Sequence, residues 1–107
     1  MNNVSNPPWP DGDRWRVGWD MTVRRVGLLA DLGLGLVELG RSSRLLMERN
    51  GQVVLSVPDE RGFATVAVVQ DGRGGWAYVW GASRGCPAGA GAAAARRAAA
   101  ALARIVR

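Results

Sequence analysis

The sequence predicts an α+β domain: an N-terminal helix, an antiparallel meander of three or four strands and a C-terminal amphipathic helix. Three observations predict it. Short β-branched or aromatic runs, Val53 to Val57, Thr65 to Gln70 and Trp76 to Trp80, are separated by the turn-forming segments PDERGF and DGRGG. An apolar stretch interrupted by glycines precedes them, and the Ala-rich segment AAAARRAAAALARIVR follows. A chain of 107 residues has room for one core of this kind.

Residues 1–19, MNNVSNPPWPDGDRWRVGW, combine turn formers with Trp9, Trp15 and Trp19. They read as an irregular arm whose aromatics pack on the domain or on a second subunit, with residues 20–107 forming the domain itself. Asp20 suits a helix N-cap, and Val23, Val26, Ala30 and Val37 follow at near-helical spacing. A helix from Asp20 to Leu32 is expected, stopped near Gly33 and Gly35, since each mid-helix glycine costs about 1 kcal/mol relative to Ala. The segment Leu36 to Glu48 reads either as a second short helix or as a strand whose hairpin turn is Asn50-Gly51. The strand is favoured because QVVLSV follows at once.

The strands are apolar at nearly consecutive positions, as in VVLSV and TVAVV, so both faces of the sheet are expected to be covered. A homodimer supplies the cover that two helices cannot. In the final helix, read from Ala88 to Arg107, the side chains of Arg96, Arg97, Arg104 and Arg107 share a sector of about 100°. Opposite them lie Ala94, Ala98, Leu102, Ile105 and Val106.

Composition excludes much. All 14 basic residues are Arg and there is no His, which removes the usual general base, metal ligand and Schiff-base amine. A lone cysteine, Cys86, forms no internal disulfide, and its loop lacks an activating base. No cofactor or metal is expected, and the chain reads as non-enzymatic. Tyr78 and the scattered carboxylates are equally without a base to work with. The chain lacks a signal-peptide pattern, and the apolar run Val26 to Leu39 is too short to cross a bilayer, so a cytoplasmic protein without membrane contact is the expectation.

Two glycine-rich segments resemble nucleotide loops only superficially. Gly33 to Gly40 has Glu38 in place of the third glycine and no clear preceding strand, while Gly81 to Gly91 lacks the Gly-Lys-Ser/Thr ending of a phosphate loop. The second reads as a flexible strand-to-helix connection. Charge is more informative: residues 1–40 carry four Arg against five acids, and residues 41–107 carry ten against four. Residues 84–107 hold five Arg and no acid, which suits an acidic protein surface or phosphates.

The segment GGWAYVWG places Trp76, Tyr78 and Trp80 on one face of a strand. Ala77 and Val79 are small and are expected to meet the C-terminal helix, leaving the aromatics on the opposite face as a partner-binding surface with Arg96, Arg97 and Arg104. On this reading the protein is an interaction module for a protein or peptide partner. The alternative is a single-stranded nucleic-acid binder in which the same aromatics stack bases and the same arginines neutralise phosphates.

With Trp76, Tyr78, Val79, Trp80 and Gly81 followed by Ala98 to Val106, roughly residues 45–107 resemble a set of small actinobacterial proteins. These carry a W-x-Y/F-V-W-G strand and an Ala-rich C-terminal helix. They often accompany transcription regulators, so the resemblance implies an accessory role in a bacterial regulatory or biosynthetic system, without a catalytic residue.

Overall fold

The computed structural model of the chain describes residues 12–70, 72–81, 84–88 and 92–106, with residues 12–17 and 84 as backbone alone. Its elements in order are α1 (Gly12–Glu38), β1 (Arg44–Met47), β2 (Val53–Asp59), β3 (Gly62–Gln70), β4 (Trp76–Trp80), β5 (Arg84–Ala88) and α2 (Ala92–Ala103). The strands form one antiparallel sheet in the order β1-β2-β3-β4-β5. The α+β class with helices at both ends and a meander between them is therefore as expected, with five strands where three or four were anticipated.

The fifth strand is RGCPA, part of the segment read from sequence as a loop. Cys86 pairs with Tyr78 and Pro87 with Ala77 across β4 and β5. Pro lacks a donor for the ladder, so it fits an edge strand such as this one. At the other edge, the ambiguous segment Leu36 to Glu48 is divided: its first three residues complete α1, and Arg44–Met47 form β1, the strand favoured from the sequence. It returns through Asn50-Gly51, where the Gln52 amide donates to Asn50 Oδ1 at 3.0 Å and the Glu48 amide to the Gln52 carbonyl at 2.7 Å.

The first helix is much longer than the expected Asp20 to Leu32. It begins at Gly12, taking in residues 12–19 of the expected arm, so that Asp20 is an interior residue and not a cap. Residues 1–11 of that arm lie outside the described residues. The helix also runs straight through Gly33 and Gly35. The reason is packing: a Cβ on Gly35 would stand 3.1 Å from Ala99 Cβ and 3.3 Å from the Ala95 carbonyl oxygen. Glycine there is a contact residue for α2, and the close approach offsets its propensity cost.

What stops α1 is Gly40. Its φ is 76°, and around it the Arg41 amide donates to the Leu36 carbonyl at 2.8 Å and the Gly40 amide to the Val37 carbonyl at 2.9 Å. These two bonds satisfy the last turn's carbonyls and require a left-handed residue at position 40.

Both helices lie on one face of the sheet. Leu28, Leu29, Leu32 and Leu36 of α1 and Ala98, Ala99 and Leu102 of α2 form a single core with Val53, Leu55 and Val57 of β2, Val66 and Val68 of β3, and Tyr78 and Trp80 of β4. Of the expected apolar stripe of α1, Val26 packs partly against this core, whereas Ala30 is exposed and Val23 and Val37 are more than half exposed on the other side. Within the expected final helix, Ala88 belongs to β5, Ile105 is exposed, and Ala94, Ala98, Leu102 and Val106 are buried as anticipated. Arg107 lies outside the described residues. We expect Gly35→Val to lower stability by about 2 kcal/mol through overpacking against α2, as measured by urea unfolding.

Candidate interaction surface

Registers across the sheet fix which side chains share a face. Leu55 pairs with Val66 and Val66 with Trp80, while Val68 pairs with Tyr78 and Tyr78 with Cys86. These rows face the helices. The intervening positions form the reverse face: Arg44 and Leu46 on β1, Val54, Ser56 and Pro58 on β2, Phe63, Thr65, Ala67 and Val69 on β3, Ala77 and Val79 on β4, and Gly85 and Pro87 on β5.

The aromatic strand is thus turned the opposite way from the sequence expectation. Ala77 and Val79 lie on the reverse face, away from α2. Trp76, Tyr78 and Trp80 point toward the helices, with Tyr78 only 1% and Trp80 only 6% exposed. The physical reason is volume. Much of the helix layer over the core is built from Ala, and large rings from the sheet fill the space that these side chains leave.

Each aromatic is held in its own way. The Tyr78 hydroxyl donates to the Leu28 carbonyl at 2.7 Å, a buried tie between β4 and α1. Burial, reinforced by the nearby Asp31 carboxylate, pushes its phenol from 10.0 up to about 12. Trp76 is half-buried with the Arg25 guanidinium 5.5 Å from its ring centroid, a cation–π contact that tethers the middle of α1. Trp80 is buried with its indole Nε1 lacking a hydrogen-bond partner among the described residues, beside a hollow of about 510 Å³ lined in part by Thr65, Leu102 and Ile105.

The three arginines remain on the surface. Arg96 and Arg97 project from the outer side of α2, and Arg104 follows its last turn. Arg96 Nε lies 3.5 Å from Glu38 Oε2 with both side chains more than half exposed, a pair worth little in stability. The structure does not bring these arginines together with a surface of exposed aromatics, as the sequence reading had placed them.

The reverse face is what sequence reasoning missed. Phe63 is 70% exposed, Val69 43% and Leu46 42%, and Val54, Ala67, Ala77 and Val79 are shielded only in part. Arg44, at one margin, is the only charged residue among its described positions. Adjacent strands about 4.8 Å apart and roughly six residues long give this face an extent of about 20 by 20 Å. The largest apolar patch of a small protein is commonly a few hundred Å² and often functional, and this face, interrupted by Ser56, Thr65 and Arg44, lies within that range. The signal was present in the consecutive apolar residues of β2 and β3, which predicted a doubly apolar sheet without saying which face the helices would take.

Among the described residues, no group of three or more His, Cys, Asp or Glu side chains is placed to hold a metal ion. No helix among them is long and apolar enough to cross a membrane. Set beside protein-family models, curated proteins and solved structures, the chain matches none.

Tyr78 is the only tyrosine, so its ionisation can be followed directly by tyrosinate absorbance. The folded phenol keeps its proton up to about pH 12, whereas an unfolded chain loses it near 10. The associated stability is therefore intact below pH 10 and falls as the pH rises toward 12, by up to about 2 kcal/mol. Tyr78→Phe should abolish that slope and cost about 1 kcal/mol at neutral pH, read from urea unfolding at several pH values.

Proposed function

We propose that the protein is a non-enzymatic interaction module that binds a protein or peptide partner through the open face of its sheet. The observation that supports this reading is an apolar face bearing one charged residue, Arg44, opposite a sheet face already covered by both helices. Burying it removes apolar area from water without desolvating charges, apart from a marginal arginine that selects for a carboxylate on the partner's rim. The occupant is an apolar, uncharged surface of another protein bounded by an acidic residue. The arginines of α2 lie on the opposite layer and contribute only long-range attraction.

The resemblance to small actinobacterial proteins that accompany transcription regulators points the same module toward an accessory role in a bacterial regulatory or biosynthetic system. The nucleic-acid alternative draws less support, because two of the three aromatics it requires are buried against the helices.

A photo-crosslinking residue at Val69 or Val79, in cells of the source organism, is expected to capture a defined protein, and Val54→Asp should abolish that capture. The same probe at Arg97 should not capture it. Adducts from Arg97 alone, or capture insensitive to Val54→Asp, would overturn the reading. Titration with single-stranded oligonucleotides is expected to show no affinity; binding that weakens steeply with salt and with Trp76→Ala would favour the alternative.

A further inference from the structure

The first helix is apolar on two sides. Leu28, Leu29, Leu32 and Leu36 face the sheet, and on the opposite side Trp19, Val23, Leu34 and Val37 are 57%, 52%, 64% and 61% exposed. Set at 100° per residue, these four fall with Gly27 and Ala30 in a sector of about 80°, and Trp19 and Val37 are aligned roughly five turns apart. Gly27 sits at the middle with nothing within 4 Å of where a Cβ would stand. The missing Cβ of Gly33 makes room for Ser43 Oγ and that of Gly35 for Ala99. Among the described residues nothing uses the room at Gly27, although a glycine there costs about 1 kcal/mol relative to Ala.

We propose that this stripe is a self-association seam, along which two copies of the chain pair their α1 helices antiparallel about a two-fold axis passing between residues 27 and 28. That axis makes the stripe complementary to itself. Val23 of one copy enters the gap between Ala30 and Leu34 of the other, and Trp19 enters the gap between Leu34 and Val37, as knobs into holes. At the crossing, Gly27 and Ala30 allow the backbones to approach closely.

Charge follows the same symmetry. Arg24 and Asp31 are exposed on one flank of the stripe, about 20° apart around the helix. In an antiparallel pair, like flanks meet, so each Arg24 comes level with the Asp31 of the other copy, and the pairing occurs twice. Farther out on the same flank, Asp20 reaches the level of Gly35 in the second copy. Close by lies Glu38, whose carboxylate is already within 3.5 Å of Arg96. The arginine of α2 thereby stands between two carboxylates that would otherwise repel. The pairing stacks helix layer on helix layer and leaves the open sheet face uncovered, so it stands independently of the partner reading above.

The contact strip, about 27 Å long and one helix wide, is at the small end of interface sizes, so the measurement is sedimentation equilibrium over concentrations up to about 100 μM. Wild type is expected to populate a dimer. Leu34→Glu should weaken it by at least about tenfold, and Arg24→Asp or Asp31→Arg alone by about fivefold. The double variant carrying both Arg24→Asp and Asp31→Arg should return to within about threefold of wild type, since the swap preserves both pairs. Val79→Asp should leave the dimer unchanged. All of these positions are solvent-facing or half-buried, and far-ultraviolet circular dichroism verifies that each variant is folded. A wild-type monomer at the highest concentration, a double swap no better than the single variants, or a dimer lost with Val79→Asp but kept with Leu34→Glu would each overturn the proposal.

Discussion

The fold depends on how closely two helices can lie side by side over five strands. Gly35 against Ala95 and Ala99 brings the axes of α1 and α2 together, so that both fit on a sheet only about 20 Å wide. Larger residues at that contact would force the two axes apart at the expense of this packing. The open face of the sheet, the burial of Tyr78 and Trp80, and the exposure of the outer side of α1 all follow from this economy of volume. A thin helix layer, in turn, needs large side chains from below, and β4 supplies them.

Much of this was legible in the sequence, and for physical reasons. Short β-branched or aromatic runs bounded by Pro-Asp, Asp-Gly and Asn-Gly located the meander, and an Ala-rich segment with clustered arginines located α2. The errors have equally specific causes. Gly33 and Gly35 read locally as helix breakers, because propensity sees the cost of glycine but not the neighbour that offsets it. In α1 both sides are apolar, and near-helical spacing alone does not separate Val23 and Val37 from the leucines that form the core. RGCPA reads as a loop because Gly and Pro are rare in strands, a rule that an edge strand relaxes. The orientation of GGWAYVWG is the reverse of that expected from the small size of Ala77 and Val79, because a sheet apolar on both faces gives no internal sign of which side receives the helices.

The candidate surfaces divide along the same line. One layer of the molecule offers an almost uncharged sheet, the other a helix whose apolar stripe is flanked by exposed acids and an arginine. Such surfaces differ in what they can discriminate. An uncharged flat face selects mainly by shape, whereas a flanked helix also selects by register and sign. A small protein carrying one of each has the means to separate recognition of another copy from recognition of something else.

The contact of Gly35 with Ala95 and Ala99 also bears on the order in which the chain assembles. Each hairpin of the meander closes a loop of only a few residues, while this clasp joins positions about sixty apart in the chain, at the larger entropic cost. The sheet alone has no dry face until the helices arrive, so neither local pairing nor distant closure is stable without the other. Concerted unfolding is the expectation, since separating the two helices floods the aromatic side of the sheet and removes the reason for the strands to remain paired.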